Sequence, residues 1–440
     1  MQHSQQRANR PRLDVERDEL PNGLVLLLSE DHSVPAVSIN AIVQTGSRFE
    51  SDDKAGLASL AGELLDAGTA TITSKQIAET IEATGGQLAT FGDYQSSGVA
   101  ATLLSGDVAL GLDIASDLLI NPAFPEEKVQ QYVDRRVAQI KARLDVPRTL
   151  ASDVFNEIVF EGTPLHRPAL GYARTVQSIT QSDVRGFYSE YYKPDNTMLA
   201  VVGDIDKAEI RSRVAATFGK WERASRFEAP QVQKAHRQAS PVQKFVNAPK
   251  EQVNILIGHA GIERRNPDYY ALVVMDTILG SSPGFTSRIP RKLRDEQGLA
   301  YSTFSNITSS AGLDPGRFVA FIGTAPENLD RAIAGLRDEI ARIVENGVTE
   351  EELDIAKSYL TGSFAMRFQK NSQVAEFLIE AEVYGLGFDY PDRFPDLIRD
   401  VTVDGVNRVT RKYIDPRNLT TVVVGPVDEQ GKVIDQEELS

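Results

Sequence analysis

The sequence predicts an α+β fold built as two tandem homologous domains, each a mostly antiparallel sheet with helices packed on one face. Three observations carry that reading. A segment from Tyr192, YKPDNTMLAVVGD, recurs from Ile414 as IDPRNLTTVVVGP. Pro194 thus pairs with Pro416, Asn196 with Asn418 and Gly203 with Gly425, at a constant offset of 222 (416 − 194). Residues 36–45, AVSINAIVQT, alternate as a half-buried strand does. Residues 325–344 place Leu329, Ile333, Leu336, Ile340 and Ile343 on one face of an amphipathic helix. Strands and helices come in runs without strict alternation, the pattern of helices layered on a sheet.

Taken in order, each half reads strand, helix, strands, two or more helices and a final strand. Both copies of the repeated segment read as a turn feeding an apolar, β-branched strand that stops at glycine. Just before them lie matching helix starts, ITQSDV from Ile179 and VTVDGV from Val401. Earlier still, FPEEKV from Phe124 matches VTEEEL from Val348, with acidic residues in the first turn, where they oppose the positive helix end. So long a period marks a duplicated domain, not a solenoid. Residues 221–243 are polar, contain proline and lack an apolar period. That stretch predicts domains at 1–225 and 246–440 joined by a linker at 226–245.

A chain of 440 residues exceeds one ordinary core, and 41% apolar with 25% charged residues is the composition of a soluble globular protein. No apolar run approaches the roughly 18 residues that a membrane helix needs. The opening 23 residues contain no apolar core of a secretory signal, so the expected location is cytoplasmic as given, or periplasmic had a signal been removed before residue 1. With no cysteine, disulfides and thiolate metal sites are excluded. A net charge of −15 argues against nucleic-acid binding and favours cationic partners such as basic peptides, or serves solubility alone.

Residues 56–69 read GLASLAGELLDAGT. The frame G-L-A-x-x-x-x-x-L-L-x-x-G-T resembles the zinc-binding helix of the pitrilysin, insulysin and mitochondrial processing peptidase family, the inverzincins. LPNGLVLLLSEDHSVPAVSINAIVQTGSR from Leu20 is similar to that family's opening hairpin, and FEGTPLHRPALG from Phe160 to its F-x-x-x-P-x-x-R-P-x-L-G segment. Gly85 to Thr90, GGQLAT, stands where the family has Gly-Gly-x-x-Asn-Ala at a sheet edge, so the Asn-Ala is lost. The resemblance spans nearly the whole chain.

Family members with a working site carry His-x-x-Glu-His within this frame, because i and i+4 aim two imidazoles at one ion and the intervening Glu polarises the bound water. Here those positions are Ser59, Gly62 and Glu63, and the family's third ligand, a glutamate, maps to Gln139 within one residue. The five histidines, His3, His32, His166, His236 and His259, are too far apart for any helical pair. Glu63 and Asp66 share one short helical stretch and read as solvated or capping carboxylates, since hard cations take six or more oxygens from a loop. No metal is expected in this chain.

The family's second active-site element is matched by Arg294 and Tyr301 in LRDEQGLAYS. Residues 287–297 read as a helix, with Ser287 as N-cap, Pro290 in the first turn and Gly298 as the stop, and residues from Leu299 onward read as a strand. Read alone, the arginine belongs to a basic face with Arg288, Arg291 and Lys292. The resemblance implies more: the matching Arg and Tyr bind the substrate carbonyl and stabilise the charge developing on it, which suits a guanidinium fork and a phenol.

Some bacterial members divide the two elements between chains, and this sequence resembles the zinc-lacking, Arg/Tyr-bearing one. The resemblance therefore implies a heterodimer with a homologous His-x-x-Glu-His subunit that carries the zinc, inactivity of this chain alone, and peptides as substrates of the complex. The alternatives are a structural assembly subunit, like the core proteins of respiratory complexes, and a stand-alone peptide-binding protein. No serine lies in a G-x-S-x-G elbow, which leaves a serine hydrolase as the weakest reading.

Overall fold

The structure, a computed structural model, describes residues 13–223, 226–282 and 287–434. Two compact units divide it. The first takes residues up to Lys141, Arg167–Val232 and Ala365–Asp392; the second takes Ala142–His166, Gln233–Phe364 and residues from Arg393 onward. Against the expected cut at residues 226–245, each unit thus borrows a segment from the other half of the sequence. Periodicity reports which face of a helix is apolar and is silent on which sheet that face covers.

In the first unit, strands β1 (Val15–Glu19), β2 (Val25–Glu30), β3 (Ala36–Val43), β4 (Gln87–Gly92), β5 (Ser97–Leu104) and β6 (Thr197–Gly203) form one sheet in the order β1-β2-β6-β3-β5-β4. Only β2 and β6 run parallel. Val37, Ile39, Ala41 and Val43 enter the main apolar core with Leu57 and Leu60 of the helix Leu57–Glu63, with Leu64 just beyond it, and with Leu112 and Leu118 of Val108–Ile120. The alternate residues of β3, Ser38 and Asn40, are buried on the other face, beside the helix Asn371–Tyr384. Asn371 donates its side-chain amide to the Ala36 carbonyl at 2.9 Å.

The second unit repeats the plan one strand short. Strands β7 (Gln243–Asn247), β8 (Val253–Ala260), β9 (Ser302–Asn306), β10 (Arg317–Thr324) and β11 (Thr420–Gly425) are ordered β7-β11-β8-β10-β9, with β7 and β11 parallel. The expected amphipathic helix forms over Leu329–Asn346 and packs on β8 and β10. Phe155 and Val159 of the helix Pro147–Val159 cover the opposite face with Leu256, Phe321 and Val422. Apart from β1, which has no counterpart, the two sheets follow the same order, and β6 and β11 are the repeated strands. Each sheet thus carries its helical layer on one face and a single further helix on the other.

The helix starts read from sequence hold in detail. Thr180 and Thr349 cap their helices in reciprocal boxes with Asp183 and Glu352, and Thr402 accepts from the Gly405 amide. The repeated asparagines act alike as turn braces. Asn196 donates to the Gln44 and Tyr191 carbonyls, each at 3.2 Å, and Asn418 donates to the Gln238 carbonyl.

Candidate functional site

The helix Leu57–Glu63 starts where a carboxylate meets its free amides. Glu50 accepts from Gly56 N–H at 2.9 Å and Ala58 N–H at 2.8 Å, and Arg167 donates to the Glu50 carbonyl at 2.9 Å. This carboxyl is almost wholly buried. Burial pushes its pKa up to about 7, against the pull of the two amides and the Arg167 and Arg136 charges.

Ser59 is fully buried, and Arg136 of the helix Glu126–Leu144 reaches it. The Arg136 guanidinium, 1% exposed, donates from Nη1 to Ser59 Oγ at 2.9 Å. Its Nη2 lies 2.7 Å from Glu63 Oε1, an ion-pair contact outside hydrogen-bond angles. Glu63, expected as a solvated or capping carboxylate, is partly exposed and serves as counter-ion to Arg136. Asp66 likewise accepts from the Tyr132 hydroxyl at 2.6 Å, and burial raises its pKa. Gln139 lies exposed one turn past Arg136.

Gly62, which the sequence resemblance matches to the family's catalytic glutamate, lies against the edge strand. A Cβ there would sit 2.4 Å from the Phe91 carbonyl oxygen, and one on Gly92 would sit 2.7 Å from the Ser59 Cα. Helix and strand meet backbone to backbone, and Thr90 Oγ1 donates to the Glu63 carbonyl at 2.9 Å. A hydroxyl, a paired carboxylate and a permanent cation are not a zinc ligand set. Among the described residues, no three His, Cys, Asp or Glu side chains converge as a metal site.

A cleft of about 600 Å³ lies in the same unit, beside β4. Its floor carries Ser38, Thr102 and Gln87 across neighbouring strands, with Asn40 behind them, and Glu82 and Glu376 stand at its walls. Ser38 Oγ is buried without a hydrogen-bond partner among the described residues. Strand β4 is an edge strand of the sheet, as expected for GGQLAT.

Arg294 and Tyr301 belong to the second unit. The expected helix is wound as a π-helix over Pro290–Glu296, with a single turn before it at residues 288–289. Its wider winding is invisible to residue-type rules, which do not separate i→i+5 from i→i+4 bonding. Ser287 precedes the helix, but its hydroxyl caps nothing among the described residues. Gly298 stops it as predicted, at φ 63°, with Gly298 N–H donating to the Arg294 carbonyl at 3.1 Å and Leu299 N–H to the Leu293 carbonyl at 2.8 Å.

Tyr301 stands just before β9, not within it, and is 95% exposed. Arg294 is partly exposed and donates to its neighbour Asp295 at 2.8 and 3.3 Å. Asp295 chiefly, with Tyr301 contributing, raises the arginine's pKa. The turn at Gly298 lies between the two residues. Arg136 escaped the sequence reading although a signal was present: it is an arginine on the buried stripe of Val129, Val133, Val137 and Ile140.

A two-unit α+β chain with a metal-free half-site and a separate Arg/Tyr element is the architecture of a zinc-peptidase homologue. Residues 25–172 match the family model described as Insulinase (Peptidase family M16), and residues 178–360 match the model described as Peptidase M16 inactive domain. The chain belongs to this pitrilysin-like M16 family. It is 27% identical over 421 residues to an uncharacterized zinc protease of Streptomyces coelicolor, covering 94% of this chain and 90% of that one. An uncharacterized zinc protease of Mycobacterium tuberculosis is 28% identical over 412 residues, 93% of each chain. Among solved structures, a peptidase M16 inactive domain from Pseudomonas fluorescens superposes with a TM-score of 0.87 at 22% identity, covering 96% of this chain and all of that one. A protease from Helicobacter pylori gives 0.86 at 20% identity over 94% of this chain and all of that one. At such identities the structures speak to the fold alone.

Proposed function

We propose that this chain is the non-zinc-binding subunit of a heterodimeric zinc peptidase, supplying Arg294 and Tyr301 to substrate held at its partner's zinc. The carrying observation is an asymmetry. The metal half-site is closed by Arg136 and β4, whereas Tyr301 is 95% exposed, seven residues past Arg294. A large aromatic side chain held in solvent at the foot of a strand has no packing role there. A guanidinium supplies directed donors to a substrate carbonyl, and a phenol hydroxyl donates to the oxygen as negative charge develops on it. Zinc, carried by the partner, would activate the attacking water.

Peptide engagement is supported by the β4 edge and the cleft beside it. An extended peptide adding to the edge would gain main-chain hydrogen bonds largely independent of its sequence. The test is to assay this chain, an M16 partner with intact His-x-x-Glu-His, and their mixture on peptides. Activity is expected only in the mixture, and is expected to be lost with Arg294→Ala or Tyr301→Phe. Activity of the partner alone at the level of the mixture would sink the proposal.

One observation favours a second reading, a structural assembly subunit. Arg294 already spends two donor contacts on Asp295. That reading expects a stable complex whose peptidase activity is indifferent to both substitutions.

A further inference from the structure

We infer that Arg136 is a built-in replacement for the metal, a guanidinium seated between the two former ligand positions that keeps this half-site metal-free even when its histidines are restored. Positions 59 and 63 are one helical turn apart, and an ion ligated by both would lie between their side chains. That space is taken: Arg136 Nη1 bonds Ser59 Oγ at 2.9 Å, and Nη2 lies 2.7 Å from Glu63 Oε1.

Three physical features make the replacement durable. Arginine does not deprotonate in proteins, so the guanidinium cannot become a neutral ligand or lose its charge to an incoming cation. The side chain is 1% exposed on a helix whose neighbours Val133, Val137 and Ile140 are core residues, which leaves it little room to swing out. The local charge is also already balanced. Glu63 contacts the guanidinium and Glu50 feels its field, so a dication added beside Arg136 would face like charge in a site of low dielectric. The close approach of Gly62 to Phe91 acts in the same direction, by leaving no room for the glutamate that a working site needs.

The test is zinc uptake by the full-length chain, measured by elemental analysis after dialysis against a zinc buffer. Ser59→His/Glu63→His/Gln139→Glu, with Arg136 retained, is expected to take up no stoichiometric zinc, so that Arg136 alone separates it from the zinc-binding variant. Adding Arg136→Leu is expected to bring uptake to about one equivalent per chain. Should Arg136→Leu not fold, Arg136→Gln in the same background, neutral and of similar reach, carries the same expectation. Stoichiometric zinc with Arg136 in place would overturn the inference. So would a folded Arg136-free variant bearing all three ligands that stays zinc-free.

Discussion

A side chain built on Gly62 would place its Cβ 2.4 Å from the carbonyl oxygen of Phe91, closer than side-chain carbons come to backbone. The edge strand therefore rests on the helix at the position that the sequence resemblance matches to the family's general base. Gly62→Ala is expected to destabilise the chain by about 1–3 kcal/mol through overpacking, and Gly62→Glu by at least as much. Urea unfolding of the full chain measures this. A neutral Gly62→Ala would mean that helix and strand separate freely.

Tyr301 touches little, so its roles in folding and in chemistry are separable. Tyr301→Phe is expected to leave stability within about 0.5 kcal/mol of wild type. In the reconstituted mixture the same change should lower kcat/KM on the order of 10²-fold, as removal of an oxyanion donor does. Equal turnover by wild type and variant would favour the assembly-subunit reading.

The Glu50 carboxyl links stability to pH. Its folded pKa of about 7 lies above the ordinary 4.5, so between these values the folded state binds more proton than the unfolded. Its contribution is therefore full below pH 4.5 and is lost as pH rises through 7, by up to about 3 kcal/mol. Asp276, buried while accepting from Ile307 N–H and Thr308 N–H, is also raised to about 7 and acts in the same direction. His259, lowered by burial to about 4, acts oppositely: its contribution is present above 6.5 and is lost as pH falls to 4. Glu50→Gln isolates the first effect. Wild type should lose stability relative to this variant from pH 5 to pH 8, and parallel pH profiles would refute it.

Strand β1 and its leading residue Asp14 are fastened to the unit by ion pairs, most of them partly exposed. Arg211 meets Glu16 at 2.6 Å and Asp18 at 2.9 Å, Lys207 meets Asp14 at 2.7 Å, and Arg17 meets Glu382 at 2.9 Å. Screening weakens such pairs, so amide hydrogen exchange in β1 should quicken at about 1 M salt while β6, in the centre of the sheet, stays protected. Unchanged β1 exchange would assign its attachment to the backbone ladder with β2 alone.

The repeat made the fold legible because turn, strand and terminal glycine are local signals, and they recur as β6 and β11. Residues 36–45 resolved to Ala36–Val43 for the same reason. The change in residue type at Ser59 and Gly62, neither of which brings an imidazole or a carboxylate to the zinc-site frame, was equally legible. What filled it was not. Whether Arg136 or Gln139 turns inward depends on the rotation of one helix against another, and the tertiary packing that sets it leaves only a faint trace in sequence. The winding of the Arg294 helix was hidden for a related reason, because sequence rules register helicity and not its pitch.

The exchanged helices bear on how the chain can be divided and damaged. Segment Ala142–His166 precedes the linker yet belongs to the second unit, and Ala365–Asp392 follows it yet belongs to the first. A break between residues 226 and 245 would therefore leave two fragments, neither holding a whole unit, each baring a sheet face that its counterpart's helix should cover. Co-expressed fragments are expected to complement each other, and either one alone to aggregate. A lesion in Phe155 would accordingly be felt in the half of the chain that does not encode it.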